Sequence, residues 1–246
     1  MGNVEYDRGM EWLLVFVIVF FAIFVQSLTG FGLALVSMPF LAALLGVQTA
    51  APLVALFGLV AEVILLLYFR EALNVRVIWR LIAASIVGVP IGVLVIRVLD
   101  EQVVLTLLGV IVAGYAGYAL LKLRLPAIEG SIWAYGAGFL GGILGGAYTT
   151  AGPPVIVYGN CRGWPPAEFK GNLQGYFLLT SVLIIVSHAV AGNYGAEVLR
   201  YGLVAMPAVA AGLVAGLALS KRVSAAAFRS LVLWLLLVLG VWLIVG

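Results

Sequence analysis

Ten apolar runs follow one another along this chain, and charge falls almost entirely at or near their ends. Hydrophobic residues make up 65% of the 246 positions and charged residues only 9%, whereas a soluble domain carries about 25% charged residues. Too little polar surface exists to cover such a chain in water, so its outside must face hydrocarbon. At about 20 apolar residues per crossing, the length accommodates roughly eight to ten segments in one bundle. The 30 glycines fit the same solvent, because glycine lets membrane helices approach closely. The expected fold class is therefore an all-α polytopic membrane protein, with the lipid bilayer as its first partner.

Several classes drop out. Basic residues occur singly or in pairs at segment ends, as topology-setting charges do, so the net charge of +3 implies no nucleic-acid partner. One cysteine, Cys161, leaves no internal disulfide and no CxxC redox pair. One histidine and one cysteine make no familiar metal site, and no glycine run ends in the Lys-Ser/Thr of a phosphate loop, which excludes ATP-driven transport within this chain. No cofactor and no enzyme activity are expected. Glu5, Asp7 and Glu11 make the start acidic where a cleavable signal would be basic, so the first helix is expected to stay.

The runs span 12–28, 33–46, 51–69, 77–97, 103–121, 132–147, 153–161, 171–191, 198–219 and 226–245. The second and seventh are short, and each follows a glycine-rich break: SLTGFG at 27–32 and GGAYTTAGPP at 145–154. Interrupted helices persist at membrane depth only where the freed backbone is buried in protein or lines a cavity. A faint repeat underlies the layout. Gly30 and Pro39 recur as Gly145 and Pro154, Gly58 as Gly175, and Gly88, Gly92 and Arg97 as Gly212, Gly216 and Lys221.

Charge placement chooses the topology. If runs one and two form a hairpin entering and leaving by one face, and runs six and seven another from the opposite face, ten Lys and Arg lie on one side. Only Arg8, Arg97 and Arg200 lie on the other. If neither short run changes the count of crossings, the split is six against seven. The positive-inside bias favours the first arrangement. It predicts two inverted five-segment repeats, each opening with a broken helical hairpin: residues 1–123, a cytoplasmic linker at 124–131, and residues 132–246. Both termini then lie outside the cytoplasm.

The hairpin tips are the candidate site. A helix start leaves up to four backbone N–H groups without partners and carries partial positive charge, so two starts meeting at mid-membrane make an anion site without a basic side chain. The candidate substrate-binding residues are Gln26, Ser27, Thr29, Gly30, Phe31 and Gly32 in the first half, and Tyr148, Thr149, Thr150 and Gly152 in the second. Against this stands the reading that small residues and hydroxyls only let helices pack. Glu62 lies within the third run without a neighbouring cation. A carboxyl in that setting is a candidate for ion or proton coupling, or a hydrogen-bonded structural group. Lys170, Asn172 and Gln174 are secondary candidates, with Lys170 more readily read as a snorkelling topology marker. His188 reads as a hydrogen-bonded helix-end residue, Cys161 as a small apolar one, and Trp12, Trp79, Trp133, Trp164 and Trp242 as interfacial anchors.

QSLTGFGLALVSMPFL at 26–41, GFLGGILGGAYTTAGPPVIVY at 138–158 and the two-half layout resemble the TauE/SafE family of sulfite and organosulfonate exporters. The likeness covers nearly the whole chain and rests on glycine and proline patterns rather than on reactive residues. It implies a prokaryotic inner-membrane secondary carrier that exports a small anion such as sulfite or an organosulfonate, with a coupling ion. Only the two glycine-rich breaks carry over residue by residue. AYTTAGPP departs from the shorter run of many relatives, which leaves the substrate contacts open. The competing expectations are a passive anion channel, an uptake permease for another small organic anion such as a carboxylate, and a membrane subunit that anchors a partner. The oligomeric state stays open, a homodimer included.

Overall fold

The computed structural model describes residues 8–121, 126–220 and 225–245. Among them the chain is all-helical: α1 (Arg8–Thr29), α2 (Leu33–Leu45), α3 (Val47–Phe69), a 3-10 turn (Arg70–Ala72), α4 (Val75–Val98), α5 (Glu101–Leu120), α6 (Ile132–Tyr148), α7 (Gly152–Cys161), α8 (Pro166–Val190), α9 (Ala196–Leu219) and α10 (Ala225–Val245). Six of these helices are long and apolar enough to cross a membrane. By contrast, α2 has 13 residues and α7 has 10, about 20 Å and 15 Å at 1.5 Å per residue. Neither spans a hydrocarbon core of about 30 Å. The outer surface is apolar: Leu13, Val17 and Phe21 recur every fourth position of α1 and are all exposed. This is a multi-pass membrane protein.

Part of the charge pattern behind the predicted topology, namely Lys122, Arg124, Lys221 and Arg222, lies outside the described residues, as do the side chains of Arg8 and Arg229. The linker expected at 124–131 is described from residue 126 on.

Glycine sets the tightest helix contacts. On α4 and α6, a Cβ at Gly92 would stand 2.1 Å from the Ile143 carbonyl oxygen, and one at Gly146 2.1 Å from that of Val89. Gly138 faces Leu81, Gly142 faces Ser85 and Gly146 faces Val89, so the two helices run parallel. The contact between α9 and α1 repeats the arrangement. Gly212 lies against Phe20 and Ile23, and Gly216 against Phe24 and Ser27, again in parallel. Thus the glycine pair Gly88/Gly92 and its sequence counterpart Gly212/Gly216 serve equivalent contacts. Helices α3 and α8 run antiparallel: Gly171 meets Ala72, Gly58 meets Ser181, and Tyr194 just beyond α8 donates to the Pro52 carbonyl at 3.4 Å. Helices α5 and α10 meet where Gly109 faces Gly240.

These pairings interleave the sequence halves, since α1, α3, α4 and α5 each pack on a helix from beyond residue 131. The halves are therefore not separate bodies. Buried polar links reinforce the weave. Tyr176 of α8 lies 2.9 Å from Ser85 Oγ on α4, and the Ser85 hydroxyl reaches the Gly138 carbonyl of α6 at 2.8 Å. Ser85→Ala strands the Tyr176 hydroxyl in a dry interior, a loss of about 1–3 kcal/mol. The double variant with Tyr176→Phe is expected to recover part of it, which thermal melts of the four purified proteins would measure.

Candidate anion site between the two helix breaks

The first break has a backbone that side chains resist. Gly30 (φ 87°) and Gly32 (φ 119°) lie in the left-handed region, where glycine alone escapes the Cβ penalty. Gln26 sits one turn before the end of α1, and its Oε1 accepts the Leu33 N–H at 3.0 Å. It thereby satisfies one amide at the start of α2. Thr29 Oγ1 turns to the Val25 carbonyl at 2.9 Å and is also close to the Phe31 carbonyl. Ser27 donates to Ile23 O at 2.8 Å and packs on Gly216. The Gly30 carbonyl accepts from Gln174 Nε2 at 2.5 Å, while the stem of Lys170 covers Gly30 and its ammonium lies 5.4 Å from the Phe69 ring centroid.

The second break turns at Thr149, with φ 54° the one non-glycine residue at positive φ among those described. A β-branched residue there stores strain of about 1–3 kcal/mol. The conformation is held by Thr149 N–H donating to Gly145 O at 2.7 Å and by its Oγ1 donating to Ala51 O of α3 at 2.7 Å. Thr150 Oγ1 donates back to Tyr148 O at 2.9 Å, and the Tyr148 hydroxyl goes to Val104 O on α5 at 3.0 Å. Helix α7 opens Gly152-Pro153-Pro154. Because proline lacks an N–H, this start offers fewer donors than that of α2.

Both breaks open on one small, half-open cavity of about 30 Å³, room for about one or two water molecules as it stands. Gln26, Phe31, Gly32, Thr149, Thr150 and Gly152 line it, and so does Glu62 from the middle of α3. Glu62 is 7% exposed and Gln26 3%. Ser181 of α8 hydrogen-bonds the Glu62 carboxyl, whereas Glu62 Oε2 and Gln26 Nε2 have no partner. A buried polar atom left unpaired is costly, so two of them in one cavity mark a place built for a polar guest.

The other candidate residues stand outside this lining. Ser27, Thr29, Gly30 and Tyr148 shape the breaks through the contacts just described. Asn172 Oδ1 accepts the Asn74 N–H at 2.8 Å and ties the start of α4 to α8. Lys170 and Gln174 brace Gly30. His188 is buried with Nδ1 2.8 Å from Asn193 Nδ2, and Cys161 is buried. Sequence reading missed Ser181, Phe177 and the lining role of Gly58. Ser181 lies in an ordinary apolar run, and only the pairing of α3 with α8 brings it to Glu62.

A bundle with an apolar exterior, broken helices and a cavity between them that holds buried Gln26 and Glu62 fits a multi-pass membrane protein of transporter type. A family model described as sulfite exporter TauE/SafE matches residues 15–243, and this chain belongs to that family, whose members are transporters rather than enzymes. A curated relative, "Probable sulfite/organosulfonate exporter TauE" of Cupriavidus necator, is 28% identical over 223 residues, covering 87% of this chain and 86% of the relative. No solved structure matches the chain.

Proposed function

We propose that this protein is a secondary transporter of a small anion such as sulfite or an organosulfonate, moving it outward through the inner membrane. In this reading the anion binds in the cavity between the two breaks. The observation that carries it is the meeting of both helix starts with the unpartnered Gln26 amide at one cavity. Amides at the start of α2 and Gln26 Nε2 would donate to the anion, Thr149 and Thr150 would hold the second break in shape, and Glu62 would carry the coupling proton.

The inverted-repeat reading goes with it. Exchanging α1–α5 with α6–α10 converts the α1–α9 contact into α6–α4 and leaves α3–α8 paired with itself. The parallel course of the first two pairs and the antiparallel course of α3 and α8 support repeats of opposite orientation. The repeats would be 1–123 and 132–246, with the linker at 124–131 cytoplasmic and both termini outside. Because the halves interleave, access would alternate by movement of mixed units, such as α1 with α9 against α4 with α6, rather than by rocking of one half against the other.

Counterflow of labelled sulfite or a labelled sulfonate in proteoliposomes tests the function. Saturable exchange is expected, and bilayer conductance without exchange would overturn it. Gln26→Glu keeps an acceptor for the Leu33 N–H but removes the free donor. It is expected to weaken anion affinity by about tenfold or more, the worth of a hydrogen bond to a charged group. Unchanged affinity in a titration would remove Gln26 from the site.

A further inference from the structure

The cavity contains an acid but no base. Among the described residues Glu62 is its one titratable lining residue, and no lysine, arginine or histidine lines it. The charged and titratable groups on the helices packed around α3 stand outside the lining: Glu168, Lys170, Tyr176 and His188 on α8, Tyr135 and Tyr148 on α6, Glu197, Arg200 and Tyr201 on α9, Arg76, Arg80 and Arg97 on α4, and Glu101, Tyr115 and Tyr118 on α5. Positive charge must then come from the helix starts. Each is worth roughly half an elementary charge, and Pro153 with Pro154 trims the share of α7, so together they supply about one unit at most. Ser181 donates to the carboxyl, which leaves the unpartnered Oε2 of Glu62 to meet a ligand.

Resting on the anion-site reading above, we infer that the cavity holds one negative charge at a time. Its ligand class is monoanions, namely sulfonates and hydrogen sulfite. They bind while Glu62 carries a proton that Oε2 can donate to a ligand oxygen, and dianions such as sulfate are rejected. A monoanion beside a neutral carboxyl is balanced by the two helix starts. An ionised Glu62 would add a second like charge within a few ångströms in a poorly screened interior, and a dianion would do the same. The sign follows directly: anion binding takes up a proton, so affinity falls as pH rises, by up to about tenfold per pH unit where the carboxyl is ionised in the empty site.

Calorimetric titration of the purified full-length protein in detergent tests this with methanesulfonate and sulfate, whose charges stay fixed between pH 6 and 8. Methanesulfonate is expected to bind more weakly at pH 8 than at pH 6, and sulfate at least about tenfold more weakly than methanesulfonate at both. Sulfate binding as tightly as methanesulfonate, or methanesulfonate affinity independent of pH, overturns the inference while leaving the anion site standing. Binding of neither anion overturns the site itself and the inference with it. Glu62→Gln is expected to bind methanesulfonate with no pH dependence, and persistence of the wild-type slope in that variant also overturns it. The comparison of anions on the unaltered protein needs no variant to fold.

Discussion

Gly58→Leu is expected to abolish anion counterflow in protein that still folds, whereas Gly58→Ala is expected to retain most of it. A Cβ at Gly58 would meet Glu62 Oε1 at 3.4 Å, Ser181 Oγ at 3.5 Å and Leu33 Cδ2 at 3.6 Å. Those are ordinary contacts that a methyl group fits. An isobutyl group has nowhere to go except between Glu62, Ser181 and the start of α2, which is the space assigned to the anion. The overpacking itself costs about 1–3 kcal/mol, so a melt of both variants beside the flux assay separates blockage from unfolding. Flux through folded Gly58→Leu at the wild-type rate would show that the anion passes elsewhere.

Gly92→Ala is the largest expected stability loss from a single methyl group. The new Cβ would stand 2.1 Å from the Ile143 carbonyl oxygen and 2.8 Å from the Ala147 amide nitrogen. Both obstacles are backbone, so α4 and α6 must part along their length, at about 3 kcal/mol or more. Gly216→Ala presses on Ser27 Cβ at 2.5 Å and is expected to act in the same direction on α1 and α9. Gly114 has nothing within 4 Å of its Cβ position, and Gly114→Ala is expected to leave the melting temperature nearly unchanged. Equal melting temperatures for Gly92→Ala and Gly114→Ala would contradict the close α4–α6 contact.

The helices were largely legible in the sequence because glycine and proline mark where they stop. Runs expected at 33–46 and 153–161 are helices at Leu33–Leu45 and Gly152–Cys161. Boundaries drifted where polar residues stand inside a helix. Helix α3 begins at Val47 rather than 51 although Gln48 and Thr49 look like loop, since Gln48 Nε2 finds the Ile96 carbonyl at 3.5 Å. Helix α8 begins at Pro166 rather than 171, with proline suited to a first turn and Glu168 bonded to Asn74.

At the cavity, the two breaks and Glu62 could be found from composition alone, because a glycine cluster or a carboxyl within an apolar run stands out. Which hydroxyls face inward could not. Within a helix a hydroxyl falls back on the carbonyl one turn earlier, as Ser27 and Thr29 do, and that choice leaves no mark in residue type. Partners across helices, such as Ser181 for Glu62, depend on packing between α3 and α8 that no spacing along one strand of sequence encodes.

The parallel contact of α9 with α1 bears on how the protein is made. Helix α1 is made before α9, yet the glycine surface that receives Phe20, Ile23 and Ser27 belongs to α9, with α2 to α8 synthesised between them. Its Glu11 likewise waits for Tyr201. Helix α1 thus stays in lipid with this face bare while α2 to α8 are made, and the contact closes only when α9 arrives. Truncation before α9 would leave a membrane-inserted chain that cannot complete its own beginning.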